Sequence, residues 1–285
     1  GRYVQRDINK AIHYLTLAAS QNHPKAQYVL GEIYYEGKYV KRDIQKSIEY
    51  LTLSANQNDP KAQFSLGFIY YEGEYVERDI NKTIQYLTLS ANQNYPRAQY
   101  YLGITYYNDE YVDEDIDKAI HYLTLAANNN HPEAQYCIGV FHYEGKYVER
   151  DINKSIHYLI LAANQNHFRS QYNLGCIYYS GAYVERDINK SIHYLTLAAN
   201  NNDPEAQFCI GVFYYKGEYV QLDINKSILY LTLAANQNHP EAQFDLGGIY
   251  FNGEYVERDT NKAIHYFTLA ANQNHPEAQY NLGVI

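Results

Sequence analysis

Eleven histidines, three cysteines and one acidic run are the side chains of this 285-residue sequence that could bind metal or move protons. Ten histidines form two ladders: His13, His121, His157, His193 and His265 share one position, and His23, His131, His167, His239 and His275 share another. Members of a ladder are separated by multiples of 36 residues, which in a stacked array puts equivalent atoms about a helix diameter (~10 Å) apart. One metal ion cannot reach two of them, so both ladders are expected at the surface. His142 stands apart, replacing a recurring tyrosine, and is expected to satisfy a local hydrogen bond. Cys137 and Cys209 share a position, Cys176 holds a different one, and their spacing carries no zinc motif. An odd cysteine count gives no closed disulfide framework, so a reducing, cytoplasmic setting is expected. In the acidic run from Asn108 to Asp117, Asp113, Asp115 and Asp117 mimic the start of a calcium loop. Lys118 stands where that loop needs glycine and Thr124 where it needs glutamate, so a solvated bump or a dock for a basic partner is expected. No serine or cysteine has a histidine and an acid fixed beside it by spacing, and no glycine-rich phosphate loop follows a strand. No catalytic residue, metal or cofactor is assigned.

What remains is binding. The sequence repeats every 36 residues, so Asp7, Asp43, Asp79, Asp115, Asp151, Asp187, Asp223 and Asp259 fall on one ladder. A period of this size signals a stacked array in which each unit buries its apolar face against its neighbours. Between near-identical units, a binding site must sit where they differ. One varying position reads Val29, Ser65, Tyr101, Cys137, Asn173, Cys209, Asp245, Asn281, and another reads Glu32, Phe68, Ile104, Val140, Cys176, Val212, Gly248, Val284. A third runs from basic to acidic: Lys25, Lys61, Arg97, Glu133, Arg169, Glu205, Glu241, Glu277. Flanked by recurring tyrosines, these positions would suit an extended or helical peptide. The expected contacts lie near the array centre: Tyr101, Tyr136, Cys137, Arg169, Asn173, Cys176 and Cys209.

Two helices per unit must position these residues. Pro24 fits a first turn, where its missing N–H is not needed, and Gly37 fits a left-handed stop. Between them, positions 26, 27, 30, 31, 33 and 34 share one arc, and positions 25, 29, 32 and 36 the opposite one. The recurrence of Gly31 in mid-helix, at a propensity cost of roughly 1 kcal/mol, predicts close approach by another helix backbone. Tyr39 and Val40 in the link are expected to tuck beneath it. Asp43 then caps a second helix, whose seam is Ile44, Ile48, Leu51 and Ala55, and Asn58 suits a left-handed close. Phe168-Arg169-Ser170 breaks the Pro-x-Ala start of the first helix, as a change of curvature or a tolerated lapse.

Composition is consistent with a folded array: 46% hydrophobic and 19% charged residues, with 35 tyrosines that the repeat explains as packing groups with a polar tip. Net charge is −9 and no basic stripe exists, which disfavours nucleic acid and anionic membrane as partners. No apolar run is long enough to insert in a membrane. Gly1 falls in register with the loop glycine Gly37 and Ile285 falls within a helix, so residues 1–285 are expected to be a single array truncated mid-repeat at both ends. Other domains fused to it in a parent chain are expected.

The motifs Ala26-x-x-x-Leu30-Gly31-x-x-Tyr34-x-x-Gly37 and Asp43-x-x-Lys46-Ser47-x-x-Tyr50-x-x-x-Ser54-Ala55 resemble the SEL-one-like repeat family, a branch of the tetratricopeptide superhelices. Alanine replaces serine in many units, as at Ala119 and Ala126, and the long link from Gly37 to Asp43 favours this branch. The resemblance covers the whole chain. It implies adaptors and scaffolds in signalling, endoplasmic-reticulum protein degradation or bacterial–host contact, with partners on the concave side. A bacterial subgroup has disulfides within each repeat and an association with β-lactam binding; this chain lacks those cysteines, so that activity is not carried over.

The expected fold is therefore all-α, a right-handed superhelix of about eight stacked helix–loop–helix repeats. The expected function is a non-catalytic scaffold that holds a protein or peptide on its concave face. A spacer within a larger protein is the alternative, and a hydrolase of β-lactam or peptidoglycan type a remote one.

Overall fold

The computed structural model describes residues 7–108 and 115–285. Of the acidic run, the positions Asp109, Asp113 and Glu114 lie outside the described residues. All regular structure among the described residues is helical. The chain forms two compact units, Gly1–Ile138 and Gly139–Ile285. The first holds α1 (Ile8–Ser20), α2 (Pro24–Glu36), α3 (Ile44–Ala55), α4 (Pro60–Glu72), α5 (Ile80–Ala91), α6 (Pro96–Asn108) and α7 (Ile116–Asn128). The boundary falls within α8 (Pro132–Glu144). The second unit continues with α9 (Ile152–Ala163), α10 (Phe168–Ser180), α11 (Ile188–Asn200), α12 (Pro204–Lys216), α13 (Ile224–Asn236), α14 (Pro240–Asn252), α15 (Thr260–Asn272) and α16 (Pro276–Val284).

The boundaries follow from local chemistry. Asp43 lies in extended backbone and its carboxylate accepts the Lys46 N–H at 3.1 Å, one of the four donors a helix start leaves open. Lys46 then lies over the Tyr34 ring at 5.3 Å, and Tyr34 stacks on Tyr50 at 5.9 Å. Similar Lys–Tyr–Tyr stacks join α4 to α5 through Lys82, Tyr70 and Tyr86, and α14 to α15 through Lys262, Tyr250 and Tyr266. At the other end, Asn58 adopts φ +66°, and its N–H reaches Ala55 O at 2.9 Å while that of Asp59 reaches Ser54 O at 3.3 Å. This pair of bonds closes the open carbonyls of α3. Asp59 then caps α4, so one residue ends the bond pattern of one helix and begins the next.

Each first helix packs on the second helix of its own pair, and each second helix on the next first helix, as α2, α3 and α4 show. Leu51, Ala55, Ala62, Leu66 and Ile69 form one such core, with Tyr28, Tyr35, Ile48, Val76 and Tyr86 packed around it. Full burial of each Leu or Ile contributes about 1.5–3 kcal/mol. A Cβ on Gly31 would stand 2.6 Å from Leu51 Cγ and 3.3 Å from Leu51 N. The close neighbour is thus a leucine side chain before it is a helix backbone.

A polar latch also crosses every described repeat junction within a unit. Buried Gln27 donates to Ala19 O at 3.2 Å and to Asn22 Oδ1 at 3.1 Å, both in the preceding pair, and accepts from Gln57 Nε2 at 2.7 Å. Gln207 repeats this with Ala199, Asn202 and Gln237. A buried amide so paired avoids the penalty of an unmet donor, about 1–3 kcal/mol.

The links meet expectation in their valines, Val76, Val220 and Val256 packing against the cores, and depart from it in most of their tyrosines. Tyr39 is not tucked away but half-exposed, as are Tyr75, Tyr183 and Tyr255. The rings of Tyr75, Tyr183 and Tyr255 instead meet the preceding pair edge-on, Tyr75 against Tyr35 at 6.1 Å and Tyr183 against Tyr143 at 5.7 Å. Arg42 lies over the Tyr75 ring at 4.7 Å, which explains why arginine recurs in the link.

Candidate functional site

The varying positions lie on the first helices, on the side away from the Leu–Gly core. The position of residue 25 is exposed in every repeat, but those of residues 29 and 32 are not an open surface. Ser65 Oγ donates to Glu32 Oε1 at 2.8 Å, so the position of residue 29 in one repeat meets that of residue 32 in the repeat before. Most of these side chains are consequently half-buried between successive first helices.

The structure places the seven expected contacts as follows. In the first unit, Tyr101 on α6 is half-buried in an aromatic cluster, with its ring 5.2 Å from Phe68, 5.7 Å from Tyr71 and 5.4 Å from Tyr100. Tyr136 and Cys137 on α8 are half-buried, with Cys137 close enough to Tyr100 to oppose its ionisation. In the second unit, Arg169 is exposed, its guanidinium 5.8 Å from the Phe168 ring, and Asn173 is half-buried. Cys176 on α10 and Cys209 on α12 are brought together beside Tyr172. Burial, and then the charge of Cys176, pushes the Cys209 thiol up to about 12; burial also raises Cys176 against a hydrogen bond from Tyr172. Neither thiol is a ready nucleophile near neutral pH.

Each unit has a cleft on its first-helix side. The one in the second unit, 470 Å³, is lined on α12, α14 and α16 by Val212, Tyr215, Phe244, Asp245, Gly248 and Asn281 among others. Burial raises the Asp245 carboxyl to about 6, against the pull of Lys216 and His275. The one in the first unit, 190 Å³, is lined on α2 and α4 by Tyr28, Glu32, Tyr35, Glu36, Phe64, Ser65, Phe68 and Ile69, with Tyr95 and Arg97. None of the seven expected contacts lines either cleft, although Tyr101 packs on Phe64 and Phe68.

The loop histidines differ from expectation. His23, His167, His239 and His275 cap first helices, each with Nδ1 accepting an N–H three residues on, as from Ala242 to His239 at 3.3 Å. His131 makes the same contact with Ala134 at 3.4 Å. Several stack on an aromatic ring of the previous first helix: His131 on Tyr100 at 4.5 Å, His239 on Phe208 at 4.7 Å and His275 on Phe244 at 4.6 Å. His167 and His239 are buried, His131 and His275 half-buried and His23 exposed, so most of this ladder serves as internal caps rather than as free surface groups. The other ladder, His13, His121, His157, His193 and His265, is exposed as expected. His142 Nδ1 lies 3.2 Å from Glu149 O, the local hydrogen bond expected of it. At the irregular start of α10, Ser170 is fully buried and its hydroxyl meets His167 Nδ1 at 2.9 Å, so the helix begins in register without proline. Among the described residues no group of three or more His, Cys, Asp or Glu side chains is placed to hold a metal ion. No helix among them is long and apolar enough to cross a membrane.

The His131 cap makes acid a local denaturant of the first unit. Burial holds the His131 imidazole down to about 4, so it stays neutral in the folded chain while an unfolded chain takes up a proton below about 6.5. Stability at this site is complete above about 6.5 and falls as pH drops towards about 4, by roughly 1–2 kcal/mol after allowance for solvent at a half-buried ring. Asp245 has the opposite sense: its raised carboxyl costs stability as pH climbs from about 4 through about 6. Amide exchange at pH 7 and pH 5 should therefore show α7–α8 loosening in acid while α14 tightens. His131→Asp, the cap that other repeats use, is expected to abolish the loss in α7–α8.

The Sel1 repeat model matches residues 1–23, 24–59, 60–95, 96–131, 132–167, 169–203, 204–239, 240–275 and 276–285, passing over the irregular Phe168. The solved structure of c5321, a protective antigen present in uropathogenic Escherichia coli strains, is 28% identical with a TM-score of 0.90 over 95% of this chain. This chain spans 58% of the length of that one. A Sel1 repeat protein from Oxalobacter formigenes is 30% identical with a TM-score of 0.77, over 99% of this chain and 82% of that one. No curated protein matches. The repeat pattern, its helix pairs and these likenesses agree: the chain belongs to the Sel1 repeat family.

Proposed function

We propose that this chain is a non-catalytic scaffold that holds a protein or peptide partner along its first-helix face. The fold is one generally used for protein interaction, and the observation that carries the reading is where the repeats differ. Caps, latches and Leu–Gly cores recur from pair to pair, while positions 29 and 32 vary along the array and residues at both line the two clefts. Tyr101, Tyr136, Cys137, Arg169, Asn173, Cys176 and Cys209 are the proposed contacts at mid-array, with flanking aromatics supplying area at low entropic cost. Partners on this reading are proteins or peptides, with neither cofactor nor nucleic acid required.

Selection of displayed random peptides on the purified chain tests it. Peptides recovered this way should bind at least about tenfold more weakly to a variant carrying Tyr101→Asn, Cys137→Asn and Cys209→Asn, since asparagine already occupies this position at Asn173 and Asn281. Circular dichroism and the urea midpoint establish that the variant is folded. Unchanged binding to a folded variant removes these positions from the site.

A further inference from the structure

We infer that the cleft between α2 and α4 is a receptor for one cationic side chain, a lysine or arginine presented by a protein partner. The inference rests on the scaffold reading above and gives it a partner chemistry. Its walls are aromatic: Tyr28 and Tyr35 from α2, Phe64 and Phe68 from α4, and Tyr95 from the loop between α5 and α6. Aromatic faces carry negative potential and attract a cation held within about 6 Å of the ring centre. The chain itself uses that attraction at the rim, where the Arg97 guanidinium lies 4.6 Å from the Phe64 centroid.

The charges at the site have the matching sign. Glu32 is half-buried, its Oε1 held at 2.8 Å by the Ser65 hydroxyl, and Glu36 is exposed one turn along the same helix. Two carboxylates face one guanidinium, so the cleft retains one uncompensated negative charge. Ser65 matters because it fixes the Glu32 carboxylate across the junction of two repeats, and a fixed carboxylate loses less entropy on pairing. The equivalent pairs Phe68 with Tyr101 and Cys176 with Cys209 carry no acid, and in Val212 with Asp245 the acid faces a valine rather than a hydroxyl.

Size selects a side chain rather than a whole molecule. Sites for drug-sized ligands occupy about 300–1,000 Å³, whereas this cleft measures 190 Å³. An alkyl stem with a charged head fills that space, with the stem against the rings and the head at the carboxylates.

The test uses the whole chain and three small probes: Nα-acetyl-lysine methylamide, Nα-acetyl-arginine methylamide and, as the neutral equivalent, Nα-acetyl-norleucine methylamide. Each is titrated while the side-chain resonances of Ser65 and Phe68 are followed by NMR. The basic probes should shift these resonances saturably, and norleucine should bind at least about tenfold more weakly. Glu32→Gln should weaken the basic probes about fivefold, and Arg97→Gln, which removes the resident competitor, should strengthen them by a similar factor. Equal binding of norleucine, no change on Glu32→Gln, or weaker binding on Arg97→Gln each overturns the inference; the last would mark Arg97 as an anchor for anions. The two readings fail separately. Selected peptides that bind the face but ignore Glu32→Gln leave the scaffold and remove the cation receptor. Probes that bind as described, with no peptide selected, do the reverse.

Discussion

Replacing Leu87 with alanine is expected to destabilise the chain by about 2–5 kcal/mol. Leu87 on α5 is fully buried among Phe64, Ala91, Ala98 and Leu102. Its Cγ and Cδ2 lie 2.9 Å from the point where a Cβ on Gly67 would stand, so leucine fills the space that glycine leaves. The helices on either side are held by their own hydrogen bonds and cannot close on the void. A second substitution exposes the pairing. In the native background Gly67→Ala overpacks this contact, which outweighs the roughly 1 kcal/mol that alanine gains in helix propensity. In the Leu87→Ala background the same methyl enters the void, so its effect should change sign. Urea unfolding of the four variants should give a coupling of at least about 1 kcal/mol; additive effects would show that the two residues do not share space. Repeats contact only their neighbours, so amide exchange should rise in α4–α6 and hold steady in α12–α15.

The caps were legible because each rests on one residue and its own next turn. Asp43, Gly37 and Asn58 behave as their chemistry requires without help from the rest of the chain. The Gln27 latch was not legible, because its partners are a carbonyl eight residues back and an amide thirty residues on. A signal was nonetheless present: glutamine stands in every repeat, at Gln27, Gln63, Gln99 and on to Gln279, on an arc that is otherwise apolar. A polar residue kept on a buried arc is one whose hydrogen bonds are met there. The loop histidines were misplaced for a related reason. Loops default to solvent, and only the alternation of His with Asp before proline marks this position as a cap.

The candidate site was legible as a set of positions and not as a geometry. A helical wheel assigns residues 29 and 32 to one arc, but it cannot give the offset between one first helix and the next. That offset brings Ser65 to Glu32 and Cys209 to Cys176, and it turns an expected open groove into half-buried junctions with clefts beside them. Variation at these positions therefore tunes junction packing as well as the exposed face, and Tyr101 shows both. Its ring packs on Phe64 and Phe68, which also wall the cleft of the first unit.

Adjacent glycines on α14 should respond to the same substitution with opposite signs. A Cβ on Gly247 would lie 2.6 Å from Cδ1 and 2.7 Å from Cε1 of Phe267, a ring that is itself buried and has little room to move. Gly247→Ala is therefore expected to cost about 1–3 kcal/mol even after its gain in helix propensity. A Cβ on Gly248 meets nothing within 4 Å, because that side faces the 470 Å³ cleft. Gly248→Ala should accordingly stabilise the chain by up to about 1 kcal/mol, the propensity term alone. Urea midpoints of the two variants measure the contrast, and with equal slopes they compare directly. Both shifting upwards would mean that propensity governs this helix and that Phe267 yields readily. Both shifting downwards would mean that the cleft wall has no space for a methyl group. Opposite shifts would tie the glycine that recurs at Gly31, Gly67 and Gly247 to the bulk of the second-helix residue opposite it.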